Sequence, residues 1–147
     1  MADLDLVLRL VESDHGLAVV CTTRPDDTIQ ASVVNAGVMA RPLDGRDAIA
    51  FVARGNAAKL ANLRRRPYAN IVFRAGWGWA SVEGATTLIG PDDAAPGFDP
   101  ADLPALLRAV FQSAGGTHDD WDAYDRTMAD ERRTAVLIST DRISSNG

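Results

Sequence analysis

The 147-residue chain is 46% hydrophobic and 24% charged, the balance of an ordinary water-soluble globular protein, and no apolar run approaches the roughly 20 residues that span a bilayer. Its length suits one domain, 1–147, with a core that needs no disulfide or structural metal. A net charge of −5 argues against a general nucleic-acid binder, and the single cysteine, Cys21, set among Val19 and Val20, reads as a buried small hydrophobe and excludes an intrachain disulfide or a cysteine-based metal site.

The chain opens on an amphipathic helix in which Leu4, Leu6, Val7, Leu10 and Val11 are interrupted by Asp3, Asp5 and Arg9. That pattern suits a helix seated on a domain better than an export signal, so a cytoplasmic protein is expected. Residues 16–23 are a β-branched apolar run closed by Arg24-Pro25-Asp26-Asp27, turn chemistry that leads into a second strand over 28–39. Thr28, Gln30, Ser32 and Val34 share one face of that strand and Ile29, Ala31, Val33 and Asn35 the other, with Gly37 as a bend or bulge. A loop at 41–46 returns the chain to a third strand, 48–53. Asn56 then reads as the N-cap of a helix over 57–66, which Pro67 ends.

Strands over 68–74 and 77–89 flank the Ala75-Gly76 turn. A loop at 90–100 precedes two helices, 101–113 and 119–130, the second capped near Thr117, and a strand over 134–140 follows. Short connections make the sheet mostly antiparallel. Five or six strands with helices kept outside predict a mainly β protein with peripheral helices (α+β), built as a small closed barrel.

Among the 15 basic residues Lys59 is the one lysine, and it lies in the first turn of its helix. A cation there opposes the helix dipole at a cost of about 0.3–1 kcal/mol, unless an anion seated at the helix start draws in the free N–H groups, Lys59 and Arg54 together. A solvated lysine reaching away from the helix end accounts for the placement equally well. Trp77 and Trp79 alternate with Gly78 and Ala80, so both indoles share a face with Ser81 and Glu83. The pattern favours ordinary barrel packing over contact with a planar cofactor or a partner subunit. Arg64-Arg65-Arg66 complements the C-terminal end of the same helix. His118-Asp119-Asp120 reads as a helix start, and with only His15 besides it among histidines no metal site is expected. No phosphate-loop or dinucleotide-binding glycine motif occurs, and no nucleophile or general base stands out, so no catalytic residue is assigned. An anchor for phosphate without such a group suits a protein whose chemistry belongs to a cofactor.

Leu17-Ala18-Val19-Val20 with Arg24-Pro25-Asp26, Gln30-Ala31-Ser32-Val33-Val34-Asn35, Lys59-Leu60-Ala61-Asn62-Leu63-Arg64 with Pro67, Trp77 to Gly84, and His118-Asp119-Asp120-Trp121-Asp122-Ala123-Tyr124 follow one another in an order that resembles the pyridoxamine 5′-phosphate oxidase-like split β-barrel family. More narrowly the chain resembles its coenzyme F420-dependent (deazaflavin) oxidoreductases. The resemblance implies an FMN-binding-protein-like split β-barrel and a homodimer with cofactor sites along the subunit interface. It further implies hydride transfer from reduced coenzyme F420 to an electron-poor C=C or quinone-like small-molecule acceptor, with FMN as the alternative cofactor and a non-catalytic F420-, flavin- or haem-binding protein as the alternative role. Lys59, Arg54 and Asn62 would hold the anionic tail. Val33, Val34, Asn35 and Ala36 would run along the ring system, Phe51 and Val52 would flank it, and Trp77 and Trp79 would line the acceptor side. The loops at 41–46 and 90–100 and the segment 144–147 are candidates for shaping the acceptor pocket.

Overall fold

A computed structural model describes residues 3–147. Helix α1 spans Leu4–Ser13 and is capped by Asp3, whose carboxylate accepts the Leu6 N–H at 3.0 Å. Strands β1 (Leu17–Thr23) and β2 (Ile29–Ala40) form the expected hairpin. Its turn is fixed by Asp26, which accepts both the backbone N–H and the hydroxyl of Thr28 at 3.1 and 2.6 Å. Then follow β3 (Asp47–Ala53), α2 (Ala58–Arg65), β4 (Tyr68–Ala75) and β5 (Gly78–Ile89). A 3-10 turn at Pro100–Asp102 leads into α3 (Leu103–Ser113), and α4 (Trp121–Asp130), β6 (Thr134–Ser139) and β7 (Arg142–Ser145) complete the order. Strand β7 was not expected, because Ile143 is its one apolar side chain and no alternation is legible in four residues.

Every ladder is antiparallel, and the order β4-β1-β2-β3-β6-β5 closes on itself through a β4–β5 pairing, with β7 added on β5. This is the closed barrel the patterning predicts. The long strands β2 and β5 each change partner midway. Strand β2 pairs with β1 up to Asn35 and with β3 only from Ala36 onward, and β5 passes from β4 to β6 between Ala85 and Thr86. The barrel is therefore split, and the strands part beside the Ala36–Phe51 pair.

The interior holds Val20, Phe51, Ile71, Phe73, Val82, Val136 and Ile138, closed by Val7, Leu10 and Val11 of α1 and by Leu60 and Leu63 of α2. A second cluster lies outside the barrel, where Ala48, Ala50, Ala135 and Leu137 meet Leu106, Leu107 and Val110 of α3 and Tyr124 of α4. Strands β3 and β6 are thus buried on both faces, which is why they read as continuous apolar runs. Gly37 is not a bulge, since the β2–β3 ladder runs through it in register. A Cβ there would lie 2.2 Å from the backbone carbonyl of Ser113, so the glycine admits the end of α3 against β2. Cys21 is half-buried on the outer face of β1 and is not part of the core.

Candidate functional site

Where β2 leaves β3, a cleft of about 480 Å³ opens between the barrel and helices α3 and α4. Its barrel side is Val33, Val34 and Asn35 of β2 with Val52, Ala53 and Arg54 at the end of β3. Neither stretch pairs with the other strand, so backbone groups of both edges face the opening. The helical wall is Val110, Phe111, Tyr124 and Met128, and Ala57, Lys59 and Arg133 close one end.

That end is electropositive. Glu131 pairs with Arg54 at 2.8 Å and with Arg133 at 2.9 Å, so one carboxylate serves two guanidinium groups. Among the described residues no carboxylate lies within ion-pairing distance of Lys59. Burial first, and then the Arg133 guanidinium, hold the Lys59 ammonium below the ordinary lysine range. Helix α2 begins one residue later than the sequence suggests. Ala57, not Asn56, stands at its N-cap and gives no side-chain acceptor, so the first turn keeps its outward N–H groups beside Lys59. Three cations, one acid and an uncapped helix start are a donor set for an anion such as a phosphate.

The opposite wall is aromatic. Tyr124 lies 5.2 Å from Phe111 and 5.3 Å from Trp121, centroid to centroid, and His118 stands 5.8 Å from Trp121. The Tyr124 hydroxyl donates to the Leu107 carbonyl at 3.2 Å, and burial raises its pKa above the ordinary phenol value. It is a wall group held in place, with its proton already committed. Arg108 ties the helices together through Asp125, with its guanidinium 5.4 Å from the Trp121 ring. Helix α4 starts at Trp121 on an Asp120 cap that accepts the Ala123 N–H at 3.0 Å, and Thr117 has no part in it. His118 precedes the helix, its Nδ1 accepting the Asp120 N–H at 3.0 Å.

Of the residues anticipated for the site, the structure brings together Val33, Val34, Asn35, Val52, Arg54 and Lys59. Ala36 and Phe51 are fully buried in the barrel core, because side chains alternate across a strand and these two point inward. Asn62 is 5% exposed, and its amide donates to Thr22 Oγ1 and Gln30 Oε1 at 3.1 Å each, so it is occupied inside the fold and not at a ligand tail. Trp77 lies in the β4–β5 turn with 93% of its surface exposed, and Trp79 stands on the outer face of β5; neither lines the cleft or packs inside the barrel. Arg64 and Arg66 are paired with Asp93 and Asp27, and Arg65 donates to the Thr23 carbonyl. The loops at 41–46 and 90–100 lie away from the cleft, and 144–147 joins β7 and its end.

Residues not anticipated are Ala53, Ala57, Val110, Phe111, Tyr124, Met128 and Arg133. Phe111 falls on the apolar face of its helix and reads as core, and Arg133 sits in a short connection with no local pattern. Tyr124 ends the His-Asp-Asp-Trp motif, the one local signal that could have drawn attention to it.

No family model matches the chain. Solved structures do. The conserved hypothetical protein Rv2991 of Mycobacterium tuberculosis superposes with a TM-score of 0.69 at 19% identity, over 99% of this chain and 84% of that one. A pyridoxamine 5′-phosphate oxidase-related, FMN-binding protein of Nostoc punctiforme PCC 73102 gives a TM-score of 0.65 at 14% identity, over 97% and 82% of the two chains. An F420 reductase gives 0.60 at 15% identity, over 90% and 91%. The chain therefore has the split β-barrel fold of the pyridoxamine 5′-phosphate oxidase-related, FMN-binding proteins. At these identities it is the fold that is shared.

Proposed function

We propose that the cleft binds a flavin-type cofactor and that the protein is an oxidoreductase. Coenzyme F420 is the preferred cofactor and FMN the alternative. The observation that carries this reading is the polarity of the cleft, cationic at the α2 end and apolar and aromatic along the helical wall. A molecule with an anionic tail and a flat ring matches both ends at once. Lys59, Arg54 and Arg133 hold the tail. Val33, Val34 and Asn35 offer backbone polar groups to the ring edge, the Asn35 amide nitrogen being engaged with the His15 carbonyl at 2.6 Å, with Phe111 and Tyr124 across from them. When bound, such a cofactor supplies the hydride that an electron-poor C=C or quinone-like acceptor takes up. The protein's own part is to place donor and acceptor, an effect that reaches about 7–11 kcal/mol when orientation is complete. The fold shared with an FMN-binding protein and with an F420 reductase supports the cofactor class.

The reading includes a homodimer. Leu17 and Val19 of β1, Ile29 and Val33 of β2 and Tyr68 of β4 stand on the outer face of the barrel with between 40% and 66% of their surface exposed. Val33 belongs both to this apolar face and to the cleft, so a second copy seated there would close the mouth of the cleft. Trp77 and Trp79, which do not line this cleft in the same protomer, are then available to a partner's site.

Binding of coenzyme F420 and of FMN to the purified protein, followed by fluorescence quenching, tests the proposal. Lys59→Ala is expected to weaken binding by about 1.5–3 kcal/mol, the usual worth of a charged hydrogen bond. Selective FMN uptake would move the assignment to the flavin cofactor, and no uptake of either would leave the fold alone.

A further inference from the structure

Two consecutive glycines follow α3, and the structure needs them for different reasons. The helix ends in a Schellman turn in which the Gly115 N–H donates to the Gln112 carbonyl and the Gly116 N–H to the Phe111 carbonyl, both at 3.0 Å. Gly115 is the left-handed residue of that turn, with φ of +89° and open space where a Cβ would stand. Gly116 has no such backbone requirement, since it is not among the glycines of positive φ. A Cβ at Gly116 would instead lie 2.5, 2.6 and 2.7 Å from Cε1, Cζ and Cδ1 of Phe111. Schellman turns often place an apolar side chain at this position, against the residue five before it. Here the Phe111 ring folds back over the turn and fills that place itself.

The ring is bounded on other sides. Tyr124 lies 5.2 Å away at an interplanar angle of 32°, and Trp121 meets it edge-on at 6.2 Å. Tyr124 is in turn held by its bond to Leu107. The ring also faces the cleft, which Phe111 lines. A methyl group on residue 116 would therefore drive the ring into the cleft, because a ring at the end of a side chain yields before the backbone does.

We infer that Gly116 is a specificity-determining position: by carrying no side chain it seats the Phe111 ring back over the end of α3 and sets the cleft wide enough for a flat, fused-ring ligand. This deepens the proposed function and rests on it. Gly116 acts through Phe111 and touches no ligand itself.

The test compares FMN and coenzyme F420 with inorganic pyrophosphate, a probe of the cationic end that has no ring. Gly116→Ala is expected to weaken binding of whichever ring ligand the wild type takes up by about ten-fold, the scale of one overpacked contact, while pyrophosphate affinity stays unchanged. In a Phe111→Ala background the same substitution is expected to change nothing. Nuclear Overhauser contacts between the Gly116 α-protons and the Phe111 ring are expected in the wild type, and their absence overturns the inference whatever the variants do. Equal loss of ring ligand and pyrophosphate, or an effect that persists without the Phe111 ring, overturns it too. A wild type that binds neither ring ligand sinks the proposed function and this inference with it, whereas wild-type binding that Gly116→Ala leaves unaltered sinks this inference alone.

Discussion

Lys59 carries the strongest single-residue argument in the chain, because its position is unfavourable without a ligand. Burial and Arg133 lower its pKa, so the charged form is disfavoured in the folded protein. Between that lowered value and the 10.5 of a free lysine the unfolded chain binds more protons than the folded one, so stability contributed at this site rises with pH across the window. Anion affinity runs the other way and falls as Lys59 loses its proton. Binding of FMN or coenzyme F420 should therefore begin to weaken, as pH is raised, before the ordinary lysine range is reached in the wild type. Lys59→Arg, which keeps its charge, should flatten that fall, and coincident profiles would remove Lys59 from the site. Asn62, three residues on, has the opposite character. Its buried amide serves Thr22 and Gln30, so Asn62→Ala should cost about 1–3 kcal/mol in urea unfolding and leave ligand affinity unchanged. A loss of affinity equal to that of Lys59→Ala would return Asn62 to the tail site.

At the scale of elements, α3 connects the core to the cleft. Its inner face buries Leu106, Leu107 and Val110, and its C-terminal end rests on β2 at Gly37. Gly37→Ala places a methyl group 2.2 Å from the Ser113 carbonyl, and backbone cannot yield as a side-chain tip can. The substitution should destabilise the protein by about 1–3 kcal/mol, read as a lowered Tm. An unchanged Tm would mean that α3 is not seated on β2 at this point. The helices and strands themselves were largely legible, because apolar periodicity and turn residues act over a few positions. The exceptions have local causes. Asn56 looks like a cap, but the chain turns through an Ala57 N–H to Arg54 carbonyl bond of 3.0 Å and starts the helix beyond it. Trp77 looks like strand, but the β4–β5 hairpin needs residues at its tip, and Gly76 with φ of +60° places Trp77 there.

At the scale of the molecule, β1, β2 and β4 present an exposed apolar face built from Leu17, Val19, Ile29, Val33 and Tyr68. Val19 stands between Val33 on one side and Val72 on the other. If the proposed homodimer forms through this face, Val19→Glu should convert it to a monomer in light scattering, because a charge buried there would have no partner. The same mass for both proteins would rule out this face as the interface. The sequence by itself determined the order of helices and strands as far as β6, the barrel class and the lysine at the head of α2, since these follow from alternation, turn chemistry and capping within a short window, whereas Val33 to Asn35 and Val52 were expected from the family resemblance alone. Only the tertiary structure decided which way each candidate faces. The β2–β3 register turned Ala36 and Phe51 into the barrel, the approach of α2 to β1 occupied Asn62, and the seating of α3 and α4 on β3 and β6 brought Phe111, Tyr124, Met128 and Arg133 to a cleft whose other wall lies far away in the chain. Those choices depend on contacts between distant segments, whose geometry no local pattern carries.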